Sequence, residues 1–62
     1  MTPEEEAEEL RLWADYYEAT TRALDLVRTG GATGATLLRI VAEDARAAAA
    51  IKRIKTIHGI GD

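Results

Sequence analysis

A single internal glycine cluster divides the chain into two long, unbroken segments. The cluster covers residues 29–34 and reads Thr-Gly-Gly-Ala-Thr-Gly, and no glycine follows before Gly59. Glycines at this density end helices and allow the chain to reverse. The sequence therefore predicts an all-α fold: an antiparallel two-helix hairpin with helices over about 3–28 and 36–58 and a joint at 29–35. At 62 residues the chain has room for a single helical-hairpin domain, residues 1–62.

The ends of both helices are marked by capping residues. Thr2, Pro3 and Glu5 are typical of an N-cap, a first helical position and a capping-box glutamate. The second helix is expected to begin at Thr33 or Thr36 and to end before Gly59, which is placed to take the left-handed conformation beyond a helix end.

Charge is distributed so that it favours an antiparallel register. Residues 1–18 carry seven acidic residues and one arginine, whereas residues 46–58 carry four Lys or Arg and no acid. Pairs whose residue numbers sum to about 63 then lie side by side. This places Glu8 and Glu9 beside Lys55 and Arg53, Glu18 beside Arg46, and Asp25 beside Arg39.

A 3-4-3-4-3 spacing, typical of contact with one partner helix, relates six residues of the first helix: Leu10, Trp13, Tyr17, Thr20, Leu24 and Val27. The second helix has a broad apolar face to receive them. The predicted hairpin core consists of Leu10, Trp13, Tyr17, Leu24 and Val27 from the first helix and Leu37, Ile40, Val41, Ile51 and Ile54 from the second.

A second apolar seam on each helix exceeds what one hairpin can cover. A chain this small needs a further source of stability, and without cysteine it cannot use disulfides. We therefore expect a homo-oligomer, with a dimeric four-helix bundle as the simplest case and a trimer or larger ring as alternatives. The predicted oligomer interface is Leu12, Tyr16, Ala19, Ala23, Leu26, Leu38, Ala42, Ala45 and Ala49.

Candidate chemistry is sparse. Serine and cysteine are absent, so the chain has no Ser or Cys nucleophile that a histidine could activate. We expect no enzyme activity, no catalytic or metal-binding residue and no cofactor. His58 is interpreted as complementing the negative end of the second helix rather than as a metal ligand. Asp44, near the centre of the apolar face of the second helix, is expected either to pair with another chain or to lie at the open rim of the hairpin.

Composition also excludes several partners. The net charge of −3 argues against nucleic acid, and no run of eighteen apolar residues suits a membrane. The acidic start lacks the basic residues of a secretion signal, so a cytoplasmic location is expected. We expect no small-molecule ligand; the partner is predicted to be the chain itself. The alternative is a small natural regulatory or adaptor protein that binds a helix of a different protein through its second seam.

The opening Thr-Pro-Glu-Glu-Glu-Ala-Glu-Glu-Leu at residues 2–10, together with the absence of Ser, Asn, Gln and Cys, resembles the style of de novo designed helical homo-oligomers. This resemblance covers mainly the first helix and implies a helical assembly without a natural substrate. A composition rich in Ala, Arg, Thr and Gly is also typical of proteins from high-GC genomes, which leaves a natural origin as the alternative.

Overall fold

The computed structural model describes residues 1–60, which form two antiparallel helices in contact along their length. Helix α1 spans Pro3–Thr29 and helix α2 spans Gly34–Ile57, with no strand in residues 1–60. The prediction of an all-α helical hairpin is confirmed. The connection is only residues 30–33, shorter than the predicted joint, because α2 already begins at Gly34 behind an N-cap at Thr33.

The start of α1 is a complete capping box. The Thr2 hydroxyl accepts a hydrogen bond from the Glu5 backbone N–H at 3.1 Å, and Glu5 Oε1 accepts one from the Thr2 N–H at 3.0 Å. The bond from the Thr2 N–H lowers the pKa of the Glu5 carboxyl because it favours the ionised form. Two backbone donors that a helix start leaves free are thereby satisfied.

The connection is fixed by threonine hydroxyls. Thr33 Oγ1 accepts from the Thr36 N–H at 3.1 Å, and the buried Thr36 hydroxyl donates to the Gly30 carbonyl at 2.8 Å. Gly31 adopts φ +72°, a left-handed conformation that glycine takes without steric cost. These bonds join the end of α1 directly to the first turn of α2.

We expect Gly30→Ala to lower the free energy of unfolding by about 1–2 kcal/mol, since an added methyl group would overpack this corner. A Cβ at Gly30 would lie 2.7 Å from the Leu26 carbonyl oxygen and 2.7 Å from Thr36 Cγ2. Gly34→Ala is the matched control, because nothing lies within 4 Å of its Cβ position. Urea unfolding of both variants at one chain concentration measures the difference; equal stabilities would contradict the close approach.

Small side chains occupy the centre of the contact between the helices. Ala19 is fully buried, and Ala23, Ala47 and Ala50 are also buried, with Ile54 as the one large buried aliphatic residue in the described part of the chain. Methyl groups on both sides allow the two backbones to approach near the short end of the usual 8–10 Å range.

The predicted roles of the two seams of α1 are exchanged in the structure. The seam predicted for oligomer contact, Leu12, Tyr16, Ala19, Ala23 and Leu26, is buried or half-buried against α2. Seven residues predicted for the hairpin core are exposed instead. Five lie in α1, namely Leu10, Trp13, Tyr17, Leu24 and Val27, and two lie in α2, namely Leu37 and Val41. From the predicted core, Ile54 is buried and Ile40 and Ile51 are half-buried.

Two physical reasons favour the observed rotation of α1. Alanines on both helices give a closer contact than a seam of bulky side chains would allow. The same rotation brings the Glu8 carboxylate against the Arg53 guanidinium and Glu18 within reach of Arg46. Spacing suggested the bulkier seam for the core, whereas close backbone approach and ion pairing together favour the seam with smaller side chains.

Candidate functional site

One broad side of the hairpin carries most of the ion pairs found within residues 1–60, and we call it the charged face: Glu8, Glu18, Arg22, Arg46 and Arg53. Arg53 Nε and Nη2 donate to the two carboxylate oxygens of Glu8, each at 3.1 Å. Glu18 Oε1 lies 2.8 Å from Arg22 Nη2 and 3.6 Å from Arg46 Nη2. The predicted Glu18–Arg46 neighbourhood and the pairing of the acidic start with Arg53 are confirmed. The predicted partners Asp25 and Arg39 instead line one groove on this side, and they form none of the ion pairs within residues 1–60.

The two hydrogen bonds from Arg53 lower the pKa of the Glu8 carboxyl, and the pKa of Arg53 is raised by the same contact. A carboxyl with a depressed pKa in the folded state stabilises the fold fully above its unfolded pKa, about 4.3 for glutamate. That contribution is lost as the pH falls through the lower folded value.

We therefore expect Glu8→Gln to lower the thermal midpoint by a few degrees at neutral pH, and we expect its difference from the unchanged chain to shrink as the pH falls below about 4.3 through the lowered pKa of folded Glu8. Other carboxyls titrate in both proteins, so the difference between them isolates Glu8. Glu4→Gln is the control, because Glu4 forms no ion pair within residues 1–60. A difference between Glu8→Gln and the unchanged chain that is constant with pH would contradict the role of the bidentate pair.

The opposite broad side is apolar, and we call it the apolar face: Trp13, Tyr17, Leu24, Val27, Leu37 and Val41. Tyr17, Leu24 and Val41 are each 63–68% exposed, and Trp13, the least exposed of the set, is 39% exposed. The Trp13 and Tyr16 rings meet edge to face with centroids 5.8 Å apart, and the Tyr16 ring meets that of Tyr17 at 6.0 Å. An aromatic cluster therefore connects the buried seam to this exposed face.

Residues from both helices lie on this one side. Leu24 and Val27 of α1 line a shallow groove together with Ile40 and Asp44 of α2. A second groove along the same contact is lined by Tyr16 from α1 and by Ala48, Ile51 and Lys55 from α2. Positions 44, 48, 51 and 55 share one face of a helix at 100° per residue. The two grooves therefore form one continuous apolar strip between the helices.

A few polar side chains interrupt or border the apolar face. Asp44 lies in the strip about midway along α2, exposed to solvent. Lys52 and Lys55 lie at the end remote from the connection, and they form none of the ion pairs within residues 1–60. At that same end His58 Nε2 pairs with Glu9 Oε1, so Glu9 contacts His58 rather than the predicted Arg53, and Arg53 contacts Glu8 in place of the predicted Lys55.

The predicted oligomer-interface residues are divided by the structure. Those of α1 lie inside the hairpin, as described above, where a second chain has little access. Leu38, Ala42, Ala45 and Ala49 of α2 are exposed, and successive steps of 100° per residue place them mainly on the side of α2 turned away from α1.

Sequence reasoning missed Thr36 and Ala50 as buried contacts of α2. Both belong to a seam with the spacing 4-3-4-3-4-3 that contacts α1. Two of its seven positions are polar, so a search for regularly spaced apolar residues does not detect the repeat. The seam is Thr36, Ile40, Glu43, Ala47, Ala50, Ile54 and Ile57.

No protein family, curated protein or solved structure matches the chain. Over residues 1–60, neither helix combines the length and apolar character needed to cross a bilayer.

Proposed function

We propose that this chain is a self-associating structural unit, and that two copies join through their apolar faces as a four-helix bundle. The amount of exposed surface carries the proposal. The hairpin exposes 4646 Å², whereas a compact monomer of 6.7 kDa is expected to expose about 3,900 Å². The excess of about 700 Å² is close to the roughly 800 Å² that each partner contributes to a stable protein interface.

The shape of the hairpin supports the same conclusion. Its extents are 43 × 21 × 12 Å, and the shortest of these matches the diameter of one helix, about 10–12 Å. The radius of gyration is 13.9 Å, against about 10.6 Å expected for a compact domain of this length. The hairpin is thus one layer, and stable domains bury their apolar surfaces between at least two layers.

The apolar face has the size and composition of an interface. One broad side of the hairpin measures 43 × 21 Å, which leaves room for the roughly 800 Å² that each partner contributes to a standard interface. Tyr and Trp are the residue types most often found as energetic anchors of protein contacts, and Trp13 and Tyr17 lie on this face. The charged face provides the solvated outer surface that such a bundle needs.

A second copy is favoured as the occupant because the apolar face carries charges of both signs at one end. Lys52 and Lys55 line a groove at the end of α2 that is level with the acidic start of α1, since Arg53 contacts Glu8 and His58 contacts Glu9. A face with this distribution is complementary to itself under a two-fold rotation about an axis parallel to the helices, and two-fold symmetry is the commonest closed symmetry of oligomers.

Sedimentation equilibrium tests the proposal. We expect a mass of twice 6.7 kDa at high chain concentration and reversible dissociation on dilution. A mass of 6.7 kDa at every concentration would contradict self-association and would favour the alternative, in which the apolar face binds a helix of a different protein.

A further inference from the structure

We infer that the two hairpins pack with their connections at the same end of the bundle, so that α1 of each copy lies on α2 of the other. This inference depends on the proposed self-association and specifies its geometry. The observations that carry it are the positions of Asp44, Lys55 and the acidic residues of α1 along the apolar face.

Two arrangements bring two apolar faces together around a two-fold axis. With the axis parallel to the helices, both connections lie at one end and each α1 stacks on the α2 of the other copy. With the axis across the helices, the connections lie at opposite ends, and α1 stacks on α1 and α2 on α2. Both arrangements bury the same apolar residues, so the charged side chains at the face decide between them.

The same-end arrangement places opposite charges together. A two-fold axis parallel to the helices keeps every residue at its own height along the bundle, and the contacts of Glu8 with Arg53 and Glu9 with His58 fix those heights. Lys55 of one copy is therefore level with Glu6 and Glu9 of the other copy's α1. The facing helices are antiparallel, as in most four-helix bundles with short connections.

The opposite-end arrangement places like charges together. Asp44 lies within two residues of the midpoint of α2, which spans Gly34–Ile57, so an axis across the helices brings Asp44 of one copy close to Asp44 of the other. Two carboxylates that face each other in an apolar interface repel one another. Lys55 would meanwhile face the apolar residues Leu37 and Val41 near the connection of the other copy, without an acidic partner.

The same-end arrangement also gives Asp44 a hydrogen-bond donor. At equal height on the facing α1 lie residues 17–20, and Tyr17 projects from the apolar face with 68% of its surface exposed. The Tyr17 hydroxyl of one copy is thus placed to donate to the Asp44 carboxylate of the other, and a charge-assisted bond of this kind compensates the burial of the carboxylate. Asp44 thereby selects one arrangement over the other, a role that buried polar residues also have in coiled coils.

A single spin label distinguishes the two arrangements, because the chain contains no cysteine and Ala32→Cys creates one labelling site. Ala32 is exposed in the connection, so the label leaves both helix contacts intact. Pulsed dipolar spectroscopy on the labelled full chain then measures the distance between the two connections. The same-end arrangement predicts a distance below about 30 Å, given about 10 Å between packed layers and the reach of two labels. The opposite-end arrangement separates the connections by nearly the 43 Å length of the hairpin.

A dominant distance near or above the hairpin length, in a sample that sediments as a dimer, would overturn the same-end geometry and leave self-association standing. A sample that sediments at 6.7 kDa and shows no dipolar coupling would overturn both. Ala14→Cys is the matched control, since Ala14 is exposed and lies near the middle of α1. Its label pair stays close in either arrangement, so it reports dimer formation alone.

Discussion

Leu24→Glu is expected to dissociate the assembly completely at concentrations where the unchanged chain is dimeric, so that the sedimenting mass falls to that of one chain, 6.7 kDa. Leu24 is 64% exposed in the single hairpin and lines the apolar strip between the helices. In the proposed bundle that surface becomes buried, and symmetry places two new carboxylates in it. Each of them loses its hydration without gaining a partner, at a cost of several kcal/mol.

Leu38→Glu is the matched control for Leu24→Glu. Leu38 is the same residue type, 72% exposed, but it lies on the side of α2 turned away from α1, in the seam predicted from sequence for the oligomer interface. We expect Leu38→Glu to leave the mass unchanged. Dissociation by Leu38→Glu with retention of the dimer in Leu24→Glu would place the interface on the alanine-rich side of α2 instead.

Ala19→Leu is expected to lower the free energy of unfolding by about 2–3 kcal/mol, at the upper end of the range for overpacked cores. Ala19 is 0% exposed, so the added isobutyl group has no free space and must displace neighbouring atoms of the contact between the helices. The loss is a large fraction of the stability of a chain this small. Denaturant unfolding, monitored by the helical circular dichroism signal, measures it.

The comparison for Ala19→Leu is Ala14→Leu on the exposed side of the same helix. Leucine and alanine have similar helix propensities, and exposed substitutions change stability by about 0.5 kcal/mol or less. Equal effects at the two positions would show that the helices are not in close contact at Ala19.

The helices and their ends could be predicted from the sequence because local signals determine them. The Thr2–Glu5 capping box, Thr33 as a cap and the left-handed Gly59, with φ +72°, all follow from single residues at fixed spacing. The antiparallel register was also predictable, since charge complementarity depends only on order along the chain. The length of the connection was harder to predict from the sequence, because it depends on the hydrogen bond from the Thr36 hydroxyl to the Gly30 carbonyl.

The rotation of α1 about its own axis was predicted wrongly, and the reason is physical. Two apolar seams lie side by side on this helix, and apolarity alone does not decide which of them contacts α2. The choice depends on how closely the backbones approach across Ala19 and on the reach of Arg53 to Glu8, and both are properties of the assembled pair. The bulkier seam was predicted as the core from its 3-4-3-4-3 spacing, whereas in the structure it forms the apolar face, which is the basis for the proposed self-association.

The dependence of thermal unfolding on chain concentration shows whether the hairpin is one half of a larger fold. If the second layer is another copy, folding is coupled to association, and mass action raises the midpoint with concentration. We expect the midpoint of the helical signal to rise by several degrees over a roughly hundredfold increase in concentration. A cooperative transition at the same temperature throughout that range would show that the single layer is stable by itself, and it would contradict self-association as the source of stability.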